Sequence, residues 1–205
     1  MRLLLTAFIL LATPVYAGPA ADALMQPGLW AERRPEDLPR YQHDRHLPHA
    51  SPATTHDMTR PKEVAGGEVG LSIVADQQPA ILSLTESGTK VAEFPAASAN
   101  PILLFFLENV MRSVANDTGG SPYYIRNRIR DALVAAQTDV TQGPVELVMH
   151  PFAQDPNRDR LGEYADLTIT LRYDAEDPAR ILELLADTGD GPDGYTEKMT
   201  LIPET

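Results

Sequence analysis

The stretch from Asn100 to Gln137, NPILLFFLENVMRSVANDTGGSPYYIRNRIRDALVAAQ, limits the fold more than any other part of the chain. It reads as two helices separated by Gly119-Gly120. Asn100 is placed to cap the first, with Pro101 at the position where a missing N–H breaks no helical bond. Ile102 to Leu107 is apolar on every side, and Val110, Met111 and Val114 continue one face. A helix of this kind is buried on several sides. Ser121-Pro122 repeats the cap arrangement, and Ile125, Ile129, Leu133 and Ala136 then form one buried stripe.

The sequence on either side has period two, as a sheet beneath such helices requires. Val69, Leu71 and Ile73 alternate with smaller or polar neighbours, as do Ala80, Leu82 and Leu84. Glu86-Ser87-Gly88 turns into Thr89 to Phe94, which predicts an antiparallel meander. After the helices, Val145, Leu147 and Met149 mark a fourth strand, and Leu167, Ile169 and Leu171 a fifth between Tyr164 and Tyr173. Asp177-Pro178 reads as the cap of a third helix, with Ile181, Leu184 and Leu185 facing inward and Gly189 ending it. Tyr195 to Ile202 is a last strand. The expected order is βββ-αα-ββ-α-β. This is an α+β domain over 68–205, with a single antiparallel sheet of about six strands. A central helical hairpin and the third helix pack on one face.

The N-terminal third reads differently. Arg2, the apolar run Leu3 to Ala12, and small Val15 and Ala17 have the pattern of a secretory signal peptide, residues 1–17. The run is too short to cross ~30 Å of hydrocarbon, which takes ~20 residues. Cleavage after Ala17, no remaining transmembrane segment, and a periplasmic or secreted destination are therefore expected. Cysteine is absent, which excludes disulfides, thiol nucleophiles and Cys-ligated metals. Together with the short signal, this favours a bacterial export route. Residues 18–67 hold Pro19, Pro27, Pro35, Pro39, Pro48, Pro52 and Pro61 and no sustained apolar period. They read as an extended or disordered Pro/His-rich leader, with one turn of helix near Ala20 to Met25. Leu29 and Trp30 are its anchor onto the folded part.

The formal net charge is −12. It opposes nucleic acid and anionic membrane faces, leaving cations, a basic protein partner, or a small anion at a local basic patch. The sequence has one such patch, Arg112 with Arg126, Arg128 and Arg130. The second helix also begins without an acid in its first turn. Arg112, Ser121, Tyr123, Tyr124, Arg126 and Arg130 are therefore the candidate anion site. The ligand would be a carboxylate, phosphate or lipid headgroup, with an apolar pocket under Phe105 and Phe106 for an acyl chain. The competing reading pairs these arginines with the chain's own acids, each pair contributing ~0–1 kcal/mol.

Other constellations carry less. His43, His46 and His49 stand three apart with His56 beyond, but Pro48 prevents any helix from aligning them on a metal. They are expected in a solvated linker. Asp155, Asn157, Asp159 and Asp166 match EF-hand positions, yet Arg160 replaces the required glycine and a strand follows, which excludes the motif. Asp187, Asp190 and Asp193 lie in a turn rich in turn formers. His150 has no identifiable partner and reads as structural. Walker, dinucleotide, G-x-S-x-G and H-E-x-x-H motifs are all missing, and no cofactor or metal is expected.

The leading expectation is an exported, non-enzymatic accessory or binding protein. A binder of an anionic small molecule or lipid headgroup at Ser121 to Arg130 is the alternative. A hydrolase using carboxylates the sequence does not locate comes third. A cavity beside Ile102 to Leu107 distinguishes the second, and two facing carboxylates in a cleft the third.

Overall fold

The computed structural model describes residues 18–48, 59–74, 79–189 and 194–203. Residues 1–17, expected to be a signal peptide, lie outside them, as do His49, His56, Asp190 and Asp193.

Eight strands form one antiparallel sheet: β1 (Arg40–His46), β2 (Val64–Val74), β3 (Ile81–Glu86), β4 (Thr89–Pro95), β5 (Pro144–Met149), β6 (Thr168–Asp174), β7 (Ile181–Asp187) and β8 (Thr196–Leu201). Three α-helices accompany it: α1 (Pro19–Leu24), α2 (Pro101–Thr118) and α3 (Pro122–Ala135). The strand order is β4-β3-β2-β1-β8-β7-β6-β5. Each half of the chain is thus a four-stranded meander, and the two meanders join at the middle of the sheet through β1 and β8.

The expected sheet of about six strands with a third helix is corrected in two places. Strand β1 lies inside the segment read as a leader, and its inward positions are Tyr41, His43 and Arg45. A buried face carrying a histidine and an arginine leaves no apolar alternation to read. The segment read as the third helix is β7. Its pairing with β6 slips between Tyr173↔Ile181 and Arg172↔Glu183, leaving Leu182 as the extra residue of a bulge. Ile181 and Leu184 therefore both point inward although three residues apart, which imitates helical spacing.

The registers place one continuous face inward across the sheet. Leu84, Val69, Tyr41, Met199, Leu184 and Leu171 are among its buried residues. Helix α2 packs on this face and buries Ile102, Leu103, Phe106, Val110, Met111 and Val114. Asn100 caps it: Oδ1 accepts from the N–H groups of Ile102 and Leu103 at 3.1 and 3.4 Å, and Nδ2 donates to the Ala179 carbonyl at 3.2 Å. Gly119 ends it in the left-handed region, φ 67°, which only glycine adopts without strain. Helix α3 buries the single stripe Ile125, Ile129 and Leu133, and Gly18 docks on its end, its N–H donating to Val134 O at 2.9 Å. No helix among the described residues is long and apolar enough to cross a membrane.

Candidate functional site

Four charged side chains occupy the otherwise apolar inner face where β3, β1 and β8 meet α2. Arg45 of β1 is directly opposite Glu197 of β8. Its Nε and Nη2 donate to the two carboxylate oxygens at 2.6 and 2.9 Å. His43, two residues before Arg45 on the same face, puts Nε2 3.2 Å from Glu197 Oε1. Its other nitrogen, Nδ1, lies 3.0 Å from Glu86 Oε1 of β3, at an angle unlike that of a hydrogen bond. Strand β2 runs between β1 and β3, but the residue opposite His43 there is Gly67. A Cβ at that position would meet Val64 Cγ1 at 2.6 Å and Ser87 Oγ at 3.0 Å.

Helix α2 contributes a matching polar stripe, Asn109, Ser113 and Asp117, each four residues from the last. Asn109 donates to Glu197 Oε1 at 3.1 Å, and the Tyr195 hydroxyl donates to Oε2 at 3.1 Å. The rings of Tyr195 and Tyr164 stand 5.4 Å apart. Tyr164 donates to Asp117 Oδ2 at 2.7 Å, and Arg60 Nε donates to Oδ1 at 2.7 Å. Polar contacts, joined at one point by the packing of the Tyr195 and Tyr164 rings, therefore link Glu86 to Arg60 through the core.

The ionisation states follow from this packing. Burial opposes the charge on Glu197, but the donors on His43 and Arg45 outweigh it and hold its pKa below the ordinary glutamate value. For His43, burial again disfavours the charged form, and the carboxylates of Glu197 and Glu86 outweigh it, so its pKa is raised. Glu86 is lowered, chiefly by its contact with His43. Tyr195 is raised well above the ordinary tyrosine value, by burial first and then by the neighbouring Glu197.

This network meets solvent in a cleft of about 620 Å³ between β4, the first half of α2 and residues 59–64. Val91, Ala92, Phe94, Leu104 and Phe105 make its apolar floor, and Arg45, Glu86 and Asn109 its inner end. Arg60, Lys62, Glu108 and Arg112 stand at the rim. Four cationic residues against two acidic ones give a local balance of +2 in a chain of −12. Arg60 is paired with Asp117 and Arg112 with Glu108, while exposed Lys62 has no ion pair among the described residues. A second hollow, of about 590 Å³, sits beside Trp30 near the start of β1. There Arg33, Arg40 and Arg180 are balanced by Glu36, Asp37 and Asp177, and it does not reach the network.

The residues singled out at the α3 start are not gathered into one concavity. Arg112 and Arg126 share Glu108, at 2.9 and 3.2 Å. Arg130 pairs with Asp131 at 3.0 Å. Tyr124 donates to buried Asp155, on which Arg128 also closes at 3.1 Å. Ser121 makes no side-chain cap bond, and Tyr123 is 74% exposed. Of the six, Arg112 alone lines the α2–β4 cleft. Phe105 is on the floor of that cleft, whereas Phe106 is wholly in the core. His150 is exposed, with Nδ1 3.2 Å from Thr168 Oγ1. Among the described residues no group of three or more His, Cys, Asp or Glu is arranged to hold a metal ion.

Sequence reasoning missed Arg45, Glu86, Asn109 and Glu197, and placed His43 in a linker. A signal was present: Tyr41-x-His43-x-Arg45 and Tyr195-x-Glu197-x-Met199 both alternate, with opposite charges at inward positions. No protein-family model matches the chain, and neither a curated protein nor a solved structure matches it.

Proposed function

We propose that the chain is an exported, non-enzymatic binding protein that takes an amphiphile with an anionic head into the cleft between α2 and β4. The observation that carries this reading is the composition of the cleft, an apolar floor under a cationic rim on a strongly acidic protein. The tail lies against Phe94 and Phe105, and the head meets Lys62 and Arg112. Clefts of ~300–1,000 Å³ suit small ligands. About six methylenes removed from water contribute about 5 kcal/mol, which corresponds to sub-millimolar affinity before any head-group contact. The signal-peptide pattern supports export.

The hydrolase reading has less support. Glu86 and Glu197 do flank His43, but Glu197 accepts bonds from four residues, is fully buried, and has a lowered pKa, so it holds no proton to deliver. Among the described residues lining the cleft, Thr59 is the one serine, threonine or cysteine, and it is exposed.

Calorimetric titration with decyl sulfate tests the reading. Wild type is expected to bind it below its micellar range. Phe105→Ala and Lys62→Glu should each weaken binding by roughly 5- to 10-fold, the scale of one lost apolar or charged contact. Absence of binding, or binding unaffected by both substitutions, rejects the cleft as the ligand site.

A further inference from the structure

We propose that binding in the cleft is linked to the proton on His43: an anionic ligand is held more tightly as the pH falls, and its arrival draws a proton onto the buried ring. This rests on the ligand reading above and adds its regulation.

The geometry points to it in three ways. The ring is fully buried, with one carboxylate at each nitrogen. His43 Nδ1 and Glu86 Oε1 are buried without a hydrogen-bond partner although they are 3.0 Å apart, so of the ring's two carboxylate contacts this is the unsettled one. Glu86 is also the carboxylate that reaches the cleft wall, whereas Glu197 sits behind it at zero exposure. The charge an entering head-group meets therefore depends on whether the ring beside Glu86 is protonated.

The groups facing His43 can be named element by element. Strand β1 supplies Arg45, β3 Glu86, and β8 Glu197 with Tyr195 behind it. Strand β2 presents Gly67. Helix α2 brings the edge of Phe105, 6.3 Å away, and Asn109, with Glu108 and Arg112 at the rim. With a neutral ring, Glu86, Glu197 and Arg45 sum to −1. With a protonated ring the sum is zero. An anion is repelled by the first state and tolerated by the second, and linkage makes the effect reciprocal. The two carboxylates already favour the charged ring and hold its pKa above the ordinary histidine value.

Decyl sulfate is a suitable probe because its charge does not change between about pH 6 and about pH 8.5, an interval that begins below the ordinary histidine value of about 6.5 and runs above it. Its affinity for wild type is expected to rise roughly 3- to 30-fold from the upper to the lower pH, the effect of one charge at cleft distance. Titrations in two buffers of different ionisation enthalpy should show net proton uptake. Uncharged decyl maltoside should bind equally at both. Glu86→Gln, at a partly exposed position, should bind decyl sulfate more tightly than wild type at the upper pH, and its rise in affinity should move to lower pH, because the ring loses one of the two carboxylates that favour its charge. Binding that Phe105→Ala weakens, yet with equal affinity at both pH values and no proton uptake, overturns the linkage and leaves the ligand reading intact. A pH dependence in Glu86→Gln that is unshifted from wild type overturns it as well. Failure of decyl sulfate to bind in the cleft removes both.

Discussion

Arg45 and Glu197 face each other across the ladder that joins the two halves of the sheet, bonded twice at 2.6 and 2.9 Å, with 4% and 0% of their surfaces exposed. Neither side chain has a solvated alternative in the folded state. Removing one partner leaves the other as a buried, uncompensated charge, and Arg45→Ala or Glu197→Ala should each destabilise by ~3–5 kcal/mol. The pair Arg45→Met with Glu197→Leu should be less destabilising than the sum of its single changes, because it removes both charges together. Urea midpoints for the four proteins measure this, and an additive result would show that the two residues are uncoupled.

Stability should have a maximum in mildly acidic solution. His43 has a raised folded pKa, so its contribution is complete below its unfolded value of about 6.5 and is lost as the pH rises through the folded value. Glu86 and Glu197 have lowered folded values, so theirs is complete above about 4.3 and is lost as the pH falls through the folded values. The plateau lies between these limits. Tm recorded from about pH 3.5 to about pH 9 should decline on both sides of it, and a maximum at or above about pH 8 contradicts the assignment.

The two helix starts resemble each other in sequence, Asn100-Pro101 and Ser121-Pro122, but differ in structure. Asn100 is fully buried and makes three hydrogen bonds, one of them to Ala179 beyond the helix. Ser121 is exposed and makes no side-chain cap bond. Asn100→Ala should destabilise by ~2–4 kcal/mol, while Ser121→Ala should stay within ~0.5 kcal/mol. Thermal unfolding separates the two, and equal effects would mean the caps are equivalent.

Gly18 is wedged against the end of α3. A Cβ there would lie 2.3 Å from the Ala136 carbonyl oxygen and 3.1 Å from that of Val134, both backbone atoms. Gly18→Ala should destabilise by ~1–3 kcal/mol. Cleavage after Ala17 would make the Gly18 nitrogen, already 2.9 Å from Val134 O, a free amine beside the negative end of a helix. Intact-mass analysis of exported protein should then give a chain beginning Gly-Pro-Ala. Any other N-terminus argues against that cleavage site.

Legibility in the sequence followed hydropathy. The α2 and α3 segments, and strands such as β6, carry apolar residues at the spacing their geometry demands, and their positions could be read directly. Strand β1 could not, because two of its three inward residues are polar and make sense only beside Glu197. Strand β7 could not, because one bulge shifts Ile181 onto the face of Leu184. The cleft was half legible: an apolar helix carrying Phe105 and Arg112 was evident, but its opposite wall comes from β4 and residues 59–64. In one dimension a buried Glu197 looks the same as any surface glutamate of this acidic chain. Only partners brought from 152 residues away distinguish it.

The meeting of β1 with β8 also fixes the order in which the molecule can be completed. Tyr41 pairs with Leu201, so the central ladder is unavailable until residue 201 has left the ribosome. Until then each meander has an open edge at its centre, and Arg45 has no carboxylate opposite it. Closing so long a loop is slow relative to local pairing. A nascent chain built this way keeps its two meanders unjoined until β8 is made, and the pairing of β8 with β1 then locks them together.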